Sequence, residues 1–482
     1  MILKDINIRD FRCFDSFECK FKPKVNVLIG RNGAGKTTLI HAIHKAMSFI
    51  FSNDRSLGKE FLSQGNNTLN VRSFKESDYH FDSDKREQKQ DVSITATACY
   101  GDDILKWKLY RRNQTNAALY QSLYKEAFAT FMRKWKEEGA LLPLLAYFSD
   151  SYPHKYVKTV KYALDIVNKE VMPRNFGYYQ WDDEASCTSI WETRFCNCLN
   201  RLQPYYTKIS KLVSELKEYE NIVDTSQLGS NYDFQKLKEE ASRIIKITSD
   251  PRNEMNFIEA RLKEFAKKLP KVKDTEYEID LLGPEQTSEG FQLLLHFKDG
   301  STSLLQDLPA GYRRLYSIVF DMAYRSYILN GDKEPEGLVI IDEIDLHLHP
   351  ELEKDVLNVL HDTFPNVQFI VSTHSPMVLT NLQANDECQI LRMETGAKSP
   401  TVVNDVYGLD YNSGVEDIMG VPARDVEIDH LLNTLAFFET NELSEQAHNI
   451  RALLLKRMNN NEQHLNEMLA KRKQEMGNEI HR

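Results

Sequence analysis

Three short stretches of the sequence carry residues whose types and spacing could do chemistry together. In Gly30-Arg31-Asn32-Gly33-Ala34-Gly35-Lys36-Thr37-Thr38, glycines let successive backbone N–H groups turn inward. A helix starting behind them adds its positive dipole end, so the loop is suited to phosphate. The spacing Gly-x-x-x-x-Gly-Lys-Thr is that of a P-loop. Gly30, Asn32, Gly33, Gly35 and Thr38 belong to the cradle, Lys36 reaches the β- and γ-phosphates, and the Thr37 hydroxyl is placed for Mg²⁺. The expected ligand is a nucleoside triphosphate. The second stretch, Gly337-Leu338-Val339-Ile340-Ile341-Asp342-Glu343, is an apolar run ending in two carboxylates. Asp342 would hold Mg²⁺ through water, and Glu343 would polarise the attacking water as general base. The third, Phe369-Ile370-Val371-Ser372-Thr373-His374-Ser375-Pro376, carries His374 at a strand end, where ligands of open α/β sheets sit. There it would hydrogen-bond the γ-phosphate. Arg12, in the turn Asp10–Phe14, is a further candidate for the nucleotide.

Strands and helices must bring these side chains to one place. Val25–Ile29 reads as a buried strand, and Leu39-Ile40-His41-Ala42-Ile43 starts a helix. Alternation predicts strands at Ile2–Ile8 and Ser16–Phe21, and a hairpin of Val92–Tyr100 with Ile104–Tyr110. Ser52–Gln90 is polar and reads as loop. A helical segment at Ala117–Glu138 leads to a strand at Leu141–Phe148. From Tyr156 to Pro270 the pattern is helical, clearest at Tyr205–Asp224 and Asn256–Lys268, without the sustained heptads of a coiled coil. Strands return at Tyr277–Leu281, Phe291–Phe297, Ser303–Leu305 and Cys388–Met393, with a helix at Leu315–Tyr327. The remainder reads as helices, the first capped by Ser413 and ended by Gly420, then Asp425–Phe438, Glu442–Arg457 and Glu462–Met476. The plan is therefore an α/β head in two parts, 1–150 and 273–408, split by an inserted helical subdomain, 151–272, and followed by a helical tail, 409–482.

The chain of 482 residues is 27% charged, with a formal net charge of −10. That balance argues against broad coating of nucleic acid, which rests on Lys and Arg neutralising phosphates. No run is long enough for a membrane span, and the opening Met1–Asp5 predicts no secretory leader. The seven cysteines show no paired zinc spacing, so reduced thiols and a cytoplasmic location are expected.

Gly30–Thr38, Asp342-Glu343, Ile344-Asp345-Leu346-His347 and His374 together resemble the ABC-type ATPase head of the SMC/RecF/OLD group. The resemblance implies a P-loop sheet with flanking antiparallel strands, ATP and Mg²⁺ as ligands, and a D-loop at Asp345. Leu308-Pro309-Ala310-Gly311-Tyr312-Arg313-Arg314 stands in the place of the signature. Two heads would then sandwich two ATP molecules, with Gly311 of one copy facing the γ-phosphate held by the other and Arg313 or Arg314 supplying charge. The usual signature serine is Pro309, which has neither hydroxyl nor N–H, so slow or regulated hydrolysis is expected. No Q-loop glutamine stands out near Pro143–Asp150.

More narrowly, Leu308-Pro309-x-Gly311-Tyr312, Asp345–Pro350 and Ser372–Pro376 are similar to the ATPase PtuA of the Septu anti-phage system, with the PARIS ATPase AriA as near neighbour. This implies a homo-oligomer, dimeric or a larger ring, and a separate nuclease effector: HNH-type and PtuB-like for Septu, TOPRIM and AriB-like for PARIS. The alternative is a DNA-engaging RecF/SMC-like clamp in DNA repair. No Glu followed by an Asp-x-Asp pair follows His374, so no nuclease is expected in this chain. His347-Leu348-His349 has poor metal spacing, and Cys187, Cys196 and Cys198 read as packed core. Aromatics interleaved with Arg174, Arg194 and Arg201 would suit stacked bases, against the acids Asp182, Asp183, Glu184 and Glu192 nearby.

Overall fold

The computed structural model describes residues 1–52, 69–82, 85–113, 118–153, 161–184, 186–222, 232–271, 277–287, 290–420 and 425–480. Part of the polar stretch Ser52–Gln90 thus lies outside the described residues. In chain order the strands are Ile2–Phe11 (β1), Phe14–Lys20 (β2), Val25–Ile29 (β3), the short pair Phe81–Asp82 and Glu87–Gln88 (β4 and β5), Asp91–Tyr100 (β6), Asp103–Arg112 (β7) and Leu144–Phe148 (β8). There follow Ile279–Thr287 (β9), Gly290–Phe297 (β10), Thr302–Leu304 (β11), Gly337–Ile341 (β12), Val367–Ser372 (β13), Cys388–Arg392 (β14) and Thr401–Val403 (β15).

The central sheet has the order β15-β14-β3-β13-β12-β8. All neighbours are parallel except β15, which runs antiparallel to β14. Every residue of β3, β8, β12 and β13 is buried, which is why these strands read as unbroken apolar runs. Because they are parallel, their C-terminal ends share one edge of the sheet. An antiparallel sheet, β2-β1-β6-β7, lies against this one through buried amides. Gln368 of β13 accepts from the Leu3 N–H at 2.8 Å and donates to the Leu3 carbonyl at 2.9 Å. Trp107 on β7 stacks on Phe49 and donates to the Ala46 carbonyl at 2.9 Å, fixing the sheet to the end of the helix Lys36–Met47. The third sheet, β11-β10-β9, is antiparallel.

Among the described residues the insertion is helical, in elements longer than its clearest stretches in the sequence. Thr188–Ile222 and Tyr232–Lys268 are two helices of 35 and 37 residues that run through Pro204 and Pro251 and pack on each other. A proline inside a helix costs about 3 kcal/mol, and packing overrides it here. Trp191, Phe195 and Leu202 on one helix and Ile258, Leu262 and Phe265 on the other are buried. A buried ion pair joins them, with Arg194 Nε and Nη2 on the two Glu254 oxygens at 2.7 and 2.6 Å. Arg194 is therefore core rather than a surface for stacked bases, and Cys187, Cys196 and Cys198 are buried as well.

Residues Met1–Gly408 form one compact unit and Leu409–Arg482 another. In the second, the helices Val426–Thr440, Ser444–Arg457 and Glu462–Ile480 close around Leu432, Leu435, Leu454, Leu465 and Leu469. Its first turn is capped by Asp410, whose carboxylate accepts from the Asn412 and Ser413 N–H groups. Ser413 is inside that turn and donates to Asp410, so it is not the cap expected from the sequence. Asp410 caps better because an ionised carboxylate takes several N–H bonds at once.

Candidate nucleotide site

The P-loop leaves the end of β3 in a conformation that only glycine meets. Gly30 has φ +145°, and a Cβ there would lie 2.4 Å from the Met393 carbonyl oxygen. Gly35, at φ +101°, caps the helix Lys36–Met47, and a Cβ there would lie 2.6 Å from the Phe14 ring. Lys36 is buried, and its ammonium donates to the Gly30 carbonyl at 2.6 Å, across the mouth of the loop. Burial pulls the Lys36 pKa down while the Asp342 and Glu343 carboxylates pull it back up. Asn32 and Thr37 are exposed, and Thr38 is half-buried with its hydroxyl accepting from Cys13 Sγ at 3.3 Å. The first-turn N–H groups of a helix have no intrahelical partner, so this loop offers donors and one buried cation to an anion.

Asp342 and Glu343 follow β12. The Asp342 N–H donates to the Phe148 carbonyl at 2.8 Å, extending the pairing with β8. Ser372, at the end of β13, accepts from the Glu343 N–H at 2.8 Å and donates to the Asp342 carboxylate. Burial raises the Asp342 pKa, and the Ser372 bond opposes that rise. Glu343 has φ +50°, a left-handed backbone that a non-glycine residue holds only under constraint. Asp345 accepts from the Thr373 hydroxyl at 2.5 Å and from the His374 N–H at 3.3 Å, which leaves the His374 ring exposed. Ser375 caps the helix Pro376–Thr380 and donates to Glu353. His349 Nδ1 accepts from the Glu351 N–H at 3.3 Å and so caps the helix Pro350–Thr363. Among the described residues no group of three His, Cys, Asp or Glu could hold a metal ion by itself.

The helix Ala310–Asn330 begins beside the same edge. Its N-cap is Pro309, at φ −49° and ψ 139°, with no side-chain cap. Gly311 is buried, and a Cβ on it would lie 2.7 Å from the His347 carbonyl oxygen, so its own chain already demands glycine there. Arg313 is half-buried and donates to the Gln306 carbonyl at 2.9 Å. Arg314 is 0% exposed and donates only to main-chain carbonyls. This corrects the expectation that Arg314 supplies charge to a ligand, because the guanidinium lies in the interior with both Nη groups committed to carbonyls. The Arg12 side chain, at φ +50°, donates to Asp78 at 2.9 Å, and Asp78 also takes Lys45 at 2.9 Å. Arg12 thus stands one residue from Cys13, on the flank of the P-loop helix, with its guanidinium on a carboxylate.

Lys36, Asp342, Glu343, Asp345 and His374 therefore meet at one edge of the parallel sheet. Missed in the sequence were the groups that hold them. Ser372 was legible only as part of a strand, and Arg314 was named for a different role, charge toward a ligand.

Residues 2–399 match the family described as the RecF/RecN/SMC N terminal domain. The retron Vc95 probable ATPase of Vibrio cholerae serotype O1 biovar El Tor is 28% identical over 409 residues, covering 79% of this chain and 71% of that one. The retron Ec83 probable ATPase of Escherichia coli is 23% identical over 402 residues, covering 79% and 70%. Similarity to the Septu protein PtuA of Bacillus mycoides is narrower, 38% identity over 96 residues, which is 20% of this chain and 13% of that one. Likeness to retron ATPases thus runs through most of the chain, whereas likeness to Septu is local. With P-loop, paired acids and parallel sheet in place and the match spanning residues 2–399, the chain belongs to the RecF/RecN/SMC N terminal domain family, a family of ATPases.

Proposed function

We propose that this chain is an ATP-binding, slowly hydrolysing sensor and scaffold that assembles head to head around ATP and controls a separate nuclease in an anti-phage system. The observation that carries this reading is the meeting of Lys36, Asp342 and Glu343 at one sheet edge, beside a signature helix that starts with Pro309. The loop N–H groups and Lys36 would bind the triphosphate. Thr37 and Asp342 would hold Mg²⁺, which neutralises charge on the β- and γ-oxygens. Glu343 would take the proton of the attacking water, and His374 would donate to the γ-phosphate from the loop that Asp345 holds. Gly311 and Arg313 of a second copy would complete the site. A Pro309 without hydroxyl removes one donor from that composite, which favours holding ATP over spending it.

The retron and Septu ATPases among the relatives support a defence role, with the effector on another polypeptide and the unit Leu409–Arg482 or the long helices as its dock. An HNH-type effector would fit the Septu likeness and a TOPRIM effector the PARIS likeness. The test is co-purification with the product of the neighbouring gene, weighed with and without ATP. Capture of a nuclease in an ATP-dependent complex supports the proposal, and efficient DNA cleavage by the chain alone contradicts it. Family membership favours one second reading, a DNA clamp. Steeply salt-dependent DNA binding by the isolated chain would select it.

A further inference from the structure

Arg314 is the fifth residue of the signature helix, three residues beyond Gly311, and is 0% exposed. Its Nη1 donates to the carbonyls of Ser149, Asp150 and Tyr152 at 3.1, 3.3 and 2.5 Å, the segment that leaves β8. Its Nη2 donates to the carbonyls of Asp342 and Glu343 at 2.7 and 3.2 Å. All five bonds end on main-chain oxygens. Taking a guanidinium out of water is expensive, and charge-assisted bonds to five carbonyl dipoles offset that cost. Such a site ties backbone segments together.

The residue tied down is the strained one. Glu343 stands at φ +50°, and such a backbone persists only where its neighbours over-determine it. Two groups do so from opposite sides. Ser372 Oγ takes the Glu343 N–H at 2.8 Å, and Arg314 Nη2 holds the Glu343 carbonyl. A lysine could not replace this arrangement, because one ammonium lacks the planar fork that reaches both segments.

We propose that Arg314 is a positioning residue for Glu343: it fixes the backbone of the general base and makes that position respond to the signature helix when a second copy engages Gly311. The proposal rests on the reading of Glu343 as the base of an ATPase. Helix movement would pull on the Asp342 and Glu343 carbonyls directly, without passing through the nucleotide. Arg314 itself touches no reacting atom.

The experiment uses the full chain and compares wild type, Arg314→Lys and Ser372→Ala, each with and without Glu343→Gln. ATP affinity is measured by equilibrium binding, and turnover by phosphate release. Arg314→Lys should keep ATP affinity within about twofold while kcat falls about tenfold to a hundredfold, the cost of a misplaced catalytic group. On the Glu343→Gln background the same substitution should change turnover no further. Unchanged kcat, an equal loss of ATP affinity, or a loss that adds in full on the Glu343→Gln background would each overturn the proposal. Should Arg314→Lys fail to fold, Ser372→Ala decides at saturating Mg²⁺, since it frees the Glu343 N–H, and the Asp342 carboxylate bond it also removes is read apart as a changed Mg²⁺ requirement. Its kcat must then fall without adding to Glu343→Gln, and full activity refutes the proposal. A wild type whose ATP binding and turnover survive Lys36→Ala would instead overturn the site assignment, a separate result.

Discussion

Replacing Pro309 by serine restores a hydroxyl at the N-cap of the helix Ala310–Asn330, and the outcome can be worked from the structure. The N-cap backbone, at ψ 139°, is already extended as a capping serine requires, and no side chain now caps the helix. A serine there gains about 1 kcal/mol, while the loss of proline's stiffness in the unfolded chain returns about 0.4–1 kcal/mol. Stability should therefore stay nearly level. Turnover should not. A hydroxyl bond to a charged phosphoryl group is worth about 1.5–3 kcal/mol, or about tenfold to a hundredfold in rate if it is made in the transition state. Phosphate release at saturating ATP, followed as chain concentration rises, measures it, since in the proposed head-to-head assembly a second copy supplies this residue. Pro309→Ala is the control, because it removes the ring and adds no donor. The reasoning is refuted if Pro309→Ser turns over at the wild-type rate with ATP affinity intact, or if Pro309→Ala gains as much.

Other outcomes follow from the packing. Gly30→Ala puts a Cβ 2.4 Å from a carbonyl oxygen at φ +145°, and should cost about 2–3 kcal/mol in urea unfolding, whereas Gly33→Ala, with open space at φ +83°, should cost about 1 kcal/mol or less. Glu192 is half-buried with its carboxyl accepting from the Leu293 N–H, and desolvation of that carboxyl pushes its pKa from 4.5 up to about 7. A carboxyl raised in the folded state contributes stability at low pH and loses it as pH climbs through the folded value. Wild type should therefore lose up to about 3 kcal/mol between pH ~4.5 and ~7. Glu192→Gln should flatten that slope and be the more stable form at pH ~8; equal slopes would show that Glu192 is not the group responsible.

The residues of the site were legible where chemistry is written contiguously. Gly30–Thr38, Asp342-Glu343 and His374 each occupy a strand end, and the full burial of β3, β12 and β13 makes those strands easy to see. What holds them was not legible, because it depends on contacts between distant segments. Arg314 bonds a carbonyl 165 positions away, and nothing in its neighbours announces that. The stretch Tyr156–Pro270 was legible as helical, but the lengths of its two long helices were not, since only tertiary packing carries them through Pro204 and Pro251. The helix Pro350–Thr363 was passed over although Pro350 stands at its start, where a missing N–H costs nothing. The expected cap at Ser413 shows the usual uncertainty of a helix boundary between neighbouring cap-formers, settled here by the charge on Asp410.

In the proposed assembly, ATP joins two copies of this chain through one composite site. Weighing the Glu343→Gln chain in solution with and without ATP tests it most directly. Adding ATP should shift the mass from that of one 56.0 kDa chain to that of two or a multiple of two, and Lys36→Ala should abolish the shift. ATP bound through Lys36 with no change in mass would contradict it.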